Sequence, residues 1–211
     1  MTFPVTIIGG VVVWKGGMNI DADGAPNAYC EPNVGIGLDY LANAGGPGNW
    51  YGIVTNGMGE PVVQTADQPC PGFYISQTAL VDHTKTLVDP TRYVDSTSVP
   101  YVTCTRDMRS RGVMLGDLAW VLYRQQQYGA LVADVGPKPG EGSILLAQAL
   151  GIPSSPKHGG ADDGVAFLIF PKTATGWPRD LDEIQQSARL LFEKWGGVDK
   201  LESLLTAPPA A

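Results

Sequence analysis

The amino-acid sequence predicts a mainly β fold with added helices, for three reasons. Gly (27) and Pro (17) are abundant, which supplies tight turns between short strands. Charged residues make up only 17% of the chain, too few for long solvated helices. Short β-branched and aromatic runs recur between clusters of Pro, Asp, Asn and Gly. At 211 residues and 44% hydrophobic content, the chain is long enough to bury a core as one domain. That domain is expected over residues 1–205, with a disordered tail at 206–211.

In chain order, VTIIGGVVV (5–13) reads as the first strand, bent or bulged at its two glycines. The stretch MNIDADGAPNAYCEPN crowds Asp21, Asp23 and Gly24 into a turn. Within GLDYLANAGGPGNWYGIV, turn residues separate strand candidates at 35–41 and 50–54, and the segments PVVQ, FYISQTALV and VPYVTC add further short strands. Beyond Val113, two apolar runs at 118–123 and 130–135 flank the polar link RQQQYG and predict adjacent strands, with Asp134 at the end of the second. GEGSILLAQALGI then reads as a short helix stopped by Gly151, with Glu141 at its entrance. GVAFLIFP (164–171) is an unbroken apolar run of central-strand type that closes the core. Leu181, Ile184, Ala188, Leu191 and Trp195 have helical spacing, Asp180 and Glu183 hold capping-box positions, and Gly196 and Gly197 form the stop. A second short helix, VDKLESLL, follows.

The formal charge of −7 repels phosphate backbones, which excludes nucleic acid as a partner, and it favours cationic ligands. The N-terminal apolar stretch is too short and too interrupted by glycine to span a bilayer, and it lacks the basic start of a signal peptide. A secreted protein is expected, its leader trimmed or its export leaderless, with no membrane partner and a monomeric state. Cys30, Cys70 and Cys104 have no metal-type spacing, and both one disulfide with a free thiol and three buried thiols fit the odd count. His83 and His158 match no metal or triad spacing, and GGPG at 45–48 lacks the Lys-Ser/Thr of a phosphate loop. Asp21 and Asp23 alternate as in a calcium loop, but the closing Glu is absent, so they read as a turn that can place an acid in a cleft. No cofactor or metal is expected.

Hydrolysis of a glycosidic bond by acid–base chemistry needs two carboxyls flanking the scissile oxygen. Asp134 ends an apolar strand in VADVGP, and Glu141 lies between glycines in PGEGS. Both backbones therefore stand where a rigid core meets a cleft. The plainer alternative makes Asp134 a turn cap and Glu141 a helix N-terminal charge. Asp39, an acid among aromatic neighbours, suits a protonated amino sugar or else is a buried carboxyl satisfied by backbone donors. Trp50, Tyr51, Tyr93 and Tyr101 are sugar-stacking or core aromatics.

The blocks DPTRYVDSTSVPYV (89–102), LGDLAWV (115–121) and ALVADVGPKPGEGSILLAQALGI (130–152) resemble the core of the glycoside hydrolase family 75 chitosanases, in the same order. GLDYLANAGGPGNWYGIV (37–54), PGFYISQTALVD (71–82), IPSSPKHGG (152–160) and the helix at 177–197 extend the resemblance to bacterial members, over roughly residues 15 to 197. The resemblance implies an inverting, endo-acting hydrolase of chitosan, with the ADxGP aspartate and the GEGS glutamate as catalytic pair. These fall on Asp134 and Glu141. It also brings forward Asp39, Asn43, Trp50, Tyr93 and Asp117 as substrate-binding residues. The loop VGPKPG between the two carboxyls is shorter than in fungal members. The sequence strand–DxGP–loop–helix is also similar to double-psi β-barrels such as expansins and family 45 endoglucanases. That similarity implies a six-stranded double-psi-like barrel with peripheral helices, one of them C-terminal. Two alternatives come with it: hydrolysis of peptidoglycan or another amino-glycan, as in an antibacterial effector, and a non-catalytic polysaccharide-binding barrel.

Overall fold

In the computed structural model, which describes residues 2–206, the N-terminal β-branched run forms a hairpin instead of one bent strand. β1 (Phe3–Ile8) turns at Gly9 and Gly10 and returns antiparallel as β2 (Val11–Asp21). The two glycines take φ of +60° and +82°, the left-handed pair that a tight hairpin turn requires. A bulge does occur in β2, but further on. Its register against β9 (Ala161–Phe170) shifts between Gly16 and Met18, and a Cβ on Gly17 would meet the Ala161 carbonyl oxygen at 2.7 Å.

β2 bridges the whole fold, because its middle pairs antiparallel with β9 and its end pairs parallel with β8 (Glu141–Ser143). β5 (Tyr101–Cys104), β7 (Gln126–Val135) and β6 (Leu118–Tyr123) complete the order β2-β8-β5-β7-β6-β9, which returns to β2 and closes a six-stranded mixed barrel. Closure leaves these strands without a free edge. The expected pair at 118–123 and 130–135 is present, with β7 starting earlier, at Gln126, because the polar link continues the antiparallel ladder as far as Tyr123↔Gln126.

The unbroken apolar runs follow from burial on both faces. Val12, Trp14, Val102, Val121, Val132 and Phe167 pack inside the barrel, where the Trp14 and Phe167 rings stack at 4.6 Å. The alternate residues Val13, Leu118, Trp120, Leu131, Leu168 and Phe170 face outward, beneath Ile184, Ala188, Phe192 and Trp195 of α3 (Leu181–Trp195). Asp180 caps α3 by accepting from Glu183 N at 3.0 Å. Gly196, at φ +127°, ends it, whereas Gly197 opens α4 (Gly197–Thr206). Two shorter helices lie elsewhere: α1 (Arg106–Ser110), and α2 (Ile144–Ala149), which Ser143 caps. Apart from Thr206, the expected disordered tail lies outside the described residues.

The strands expected at 35–41, 50–54, 61–64 and 73–81 shrink to a two-residue pair, β3 (Gly45–Gly46) with β4 (Asn49–Trp50), and to single bridges such as Ile53↔Ser76 and Val63↔Tyr74. Pro, Gly and polar residues interrupt each ladder. Side chains hold the backbone in its place: Ser76 Oγ donates to the Gly52 carbonyl (3.1 Å) and Gln64 Nε2 to the Tyr74 carbonyl (3.2 Å). All three cysteines are unpaired, Cys30 and Cys104 being buried. Among the described residues, no helix is long and apolar enough to cross a membrane.

Candidate active site

Four neighbouring barrel strands place polar side chains in one row. On β2, Asn19 is in register with Glu141 of β8, and Asp21 follows two residues later on the same face. On β5, Thr103 is in register with Asp134 of β7. Val102 faces Gly142 across the antiparallel β5–β8 pair, which sets Thr103 beside Glu141. Thr103 Oγ1 donates to Glu141 Oε2 at 3.2 Å. The row opens into a cleft of about 800 Å³, lined also by Asp23, Tyr29, Asp39, Asn43, Tyr51 and Lys157. Glu141 thus lies on a short strand, two residues ahead of the helix cap Ser143, and not on the helix itself.

Asp134 is fixed by its backbone surroundings, its Oδ1 accepting from Ala79 N (3.0 Å) and Val135 N (2.8 Å). Burial pushes its carboxyl up to about 6, against the pull of those two donors. Burial likewise raises Glu141, opposed by the Thr103 hydroxyl and by Lys138. Asp21 is pushed up to about 8, first by burial and then by the charge of Asp134. Asp23 is also raised well above the ordinary carboxylate range by burial and by Asp21, although Tyr29 OH donates to its Oδ1 at 2.7 Å. Carboxylate oxygens of Asp21, Asp23 and Asp134 lie within 4.8 Å of one another, so these three are the residues that could hold a hard divalent cation.

Such a cluster costs stability, and the sign is determinate. For a carboxyl whose pKa is higher folded than unfolded, the folded state binds more protons between the two values, so stability falls as pH rises through that window. For Asp21 the window runs from 3.8 to about 8. Asp21→Asn is therefore expected to raise the melting temperature above pH 8 and to leave it nearly unchanged below pH 4. Equal shifts at both pH values in thermal unfolding would contradict this.

Gly136 connects backbone to chemistry, because a Cβ there would lie 2.4 Å from Glu141 Oε2 and 3.3 Å from Thr103 Oγ1. The closer atom is the end of a flexible side chain, so Gly136→Ala should displace the Glu141 carboxylate without unfolding the barrel. The Glu141 carboxyl resonance is expected to move in NMR, with the melting temperature within a few degrees of the parent. An unmoved resonance would show that the Glu141 carboxylate does not lie against Gly136.

Of the residues singled out in the sequence, the structure brings Asp134, Glu141, Asp39, Asn43, Tyr51, Asp21 and Asp23 into this cleft. Asn43 Nδ2 reaches both oxygens of Asp39, at 2.9 and 3.0 Å, and Tyr40 N donates to Oδ1. Four others lie elsewhere. Trp50 is half-buried and packs toward Tyr74, with ring centroids 6.4 Å apart. Tyr93 is buried with Val54 and Ile75, and its hydroxyl donates to the Leu87 carbonyl. Asp117 is 0% exposed and binds backbone amides beneath the β6 start, so its carboxyl has no open face for a sugar. Tyr101 is likewise core, its hydroxyl donating to the Asp23 carbonyl.

Thr103, Asn19, Tyr29 and Lys157 are among the cleft residues that sequence reasoning passed over. A lone threonine between Val102 and Cys104 in a buried strand was the available signal for the first. Neither a family model nor a curated protein matches the chain.

Proposed function

We propose that the chain is an endo-acting glycoside hydrolase of a cationic amino-sugar polymer, of the family 75 chitosanase type, with Asp134 and Glu141 as its acid–base pair. One observation carries the reading: five carboxyls, Asp21, Asp23, Asp39, Asp134 and Glu141, share the cleft lining with a single lysine. Lys157 is itself engaged, donating to the Gly37 carbonyl at 2.6 Å. An ammonium group among these carboxyls relieves the burial and mutual repulsion that hold protons on Asp21, Asp23 and Asp134, so the lining suits protonated glucosamine units, which favours chitosan over peptidoglycan.

Strand geometry leaves room for the inverting course. Asp134 and Glu141 stand on β7 and β8 with β5 between them, two inter-strand steps or about 9–10 Å of backbone spacing. Carboxyl separations of about 6.5–9.5 Å leave room for a water opposite the leaving oxygen, whereas covalent catalysis needs about 5–5.5 Å. In this reading Asp134, pushed up to about 6 by burial, keeps the proton that the leaving oxygen takes. Glu141, oriented by Thr103, removes a proton from the attacking water. The glycosidic bond breaks as the water oxygen bonds to the anomeric carbon, and no enzyme-bound sugar forms.

Release of reducing ends from chitosan tests the activity. A kcat/KM that falls as pH rises through about 6 tests the role of Asp134, since the free enzyme's acid must be protonated. Activity that instead climbs steadily from pH 5 to 8 would rule out Asp134 as the donor. NMR of the first product formed, showing the inverted anomer, tests the course.

A further inference from the structure

Thr103 and Gly136 both meet the Glu141 carboxylate at one oxygen. Thr103 Oγ1 donates to Oε2 at 3.2 Å, and a Cβ on Gly136 would press on that same atom. The other oxygen, Oε1, is left for the attacking water, and the strand beside β8 on the side away from β5 is β2. There Asn19 is the register partner of Glu141. Partners in neighbouring strands stand about 4.8 Å apart and project from the same face of the sheet, and both residues line the cleft.

The main chain at Asn19 is clamped while its side chain is not. Asn19 N donates to the Gly140 carbonyl at 2.8 Å. Gly160, at φ +105°, passes so close that a Cβ there would lie 2.6 Å from the Met18 carbonyl oxygen. The Asn19 side chain is exposed at the cleft, and its amide has no hydrogen-bond partner among the described residues. Neighbouring polar groups are already engaged, Asn43 with Asp39 and Thr103 with Glu141. A fixed backbone therefore presents an open amide next to the base.

A water activated by Glu141 has two protons. One passes to Oε1, and the other stays on the oxygen and becomes part of the hydroxyl of the new sugar end. Held through the first alone, the water rotates about that hydrogen bond and its lone pair sweeps off the anomeric carbon. An acceptor for the second proton fixes the aim. The acceptor must be neutral, because a carboxylate there would compete with Glu141 for the proton. An asparagine carbonyl meets both conditions.

We propose that Asn19 positions the attacking water, its Oδ1 accepting the proton that the water keeps while Glu141 takes the other. The inference rests on reading Asp134 and Glu141 as an inverting pair.

Turnover of glucosamine oligomers by Asn19→Ala tests it. The exposed side chain can be removed without loss of the fold, which thermal unfolding checks. The expected result is a kcat lower by about 10- to 100-fold, with KM within about twofold of the parent. In Glu141→Gln the same replacement should cost less than about twofold, because aiming a water that no base activates gains nothing. A raised KM at unchanged kcat would make Asn19 a sugar contact, and losses that multiply in the double variant would separate it from the water. Either result overturns the proposal and leaves the hydrolase standing. If the parent itself cuts no glycan, the hydrolase reading falls and the role of Asn19 falls with it.

Discussion

Asp134→Asn and Glu141→Gln should each lower chitosan hydrolysis by a factor of about 10²–10⁴, the span that positioned acid–base groups contribute. Both replacements keep shape and volume. The amide oxygen introduced by Asp134→Asn would still accept from Ala79 N and Val135 N, and the one introduced by Glu141→Gln would still accept from Thr103, so the barrel should persist. Circular dichroism and thermal unfolding are the controls, and both variants should melt at or above the parent temperature, because each removes a carboxyl that burial disfavours. The two losses should separate by chemistry. An aryl glycoside whose leaving group needs no protonation should restore turnover to Asp134→Asn, while added azide, standing in for the activated water, should restore it to Glu141→Gln. Rescue in the opposite pairing would exchange the two roles. Full activity in either variant would remove that residue from the mechanism.

The largest stability effect is expected at Asp117, which the family resemblance offers as a sugar contact. Its Oδ1 accepts from Thr173 N (2.8 Å) and Ala174 N (3.0 Å), and its Oδ2 from Met114 N (2.7 Å). One carboxylate thereby ties the turn before β6 to the segment after β9, 56 residues away in sequence. Burial raises its pKa and the backbone donors oppose that rise. Asp117→Ala strands three part-buried amides at once, each costing up to about 1–3 kcal/mol, so a loss of a few kcal/mol is expected. Chemical denaturation should show a much lower midpoint, and Asp117→Asn, which keeps the acceptor oxygen, should recover part of it. A variant with a normal midpoint but poor chitosan binding would return Asp117 to the substrate site.

Asp134 lines the cleft and Asp117 does not, and the difference is one of register. Both are aspartates at the end of an apolar run, and a local reading cannot separate them. Asp134 lies near the end of β7, and its neighbour across β5 is a strand start carrying Glu141; Asp117 precedes β6, where the chain folds under its own turn. The barrel was legible because its strands are continuous β-branched runs, and α3 because its apolar period and cap agree. The segment from 31 to 100 was not. Its order comes from side chains such as Gln64 and Ser76 bonding to distant carbonyls, and such long-range pairs leave no periodic trace. Asp21 and Asp23 showed their turn plainly in the sequence, but their approach to Asp134 depends on which strands lie side by side once the barrel closes.

The intervening strand β5 acts as a ruler. It spaces the backbones that carry the two acids by two main-chain rungs, about 9–10 Å, so that only the rotamers of Asp134 and Glu141 tune the gap between their carboxyls. Under the proposed mechanism, an acid transplanted onto the middle stave, at Thr103, would narrow that gap by one rung and bring it toward the spacing of double displacement.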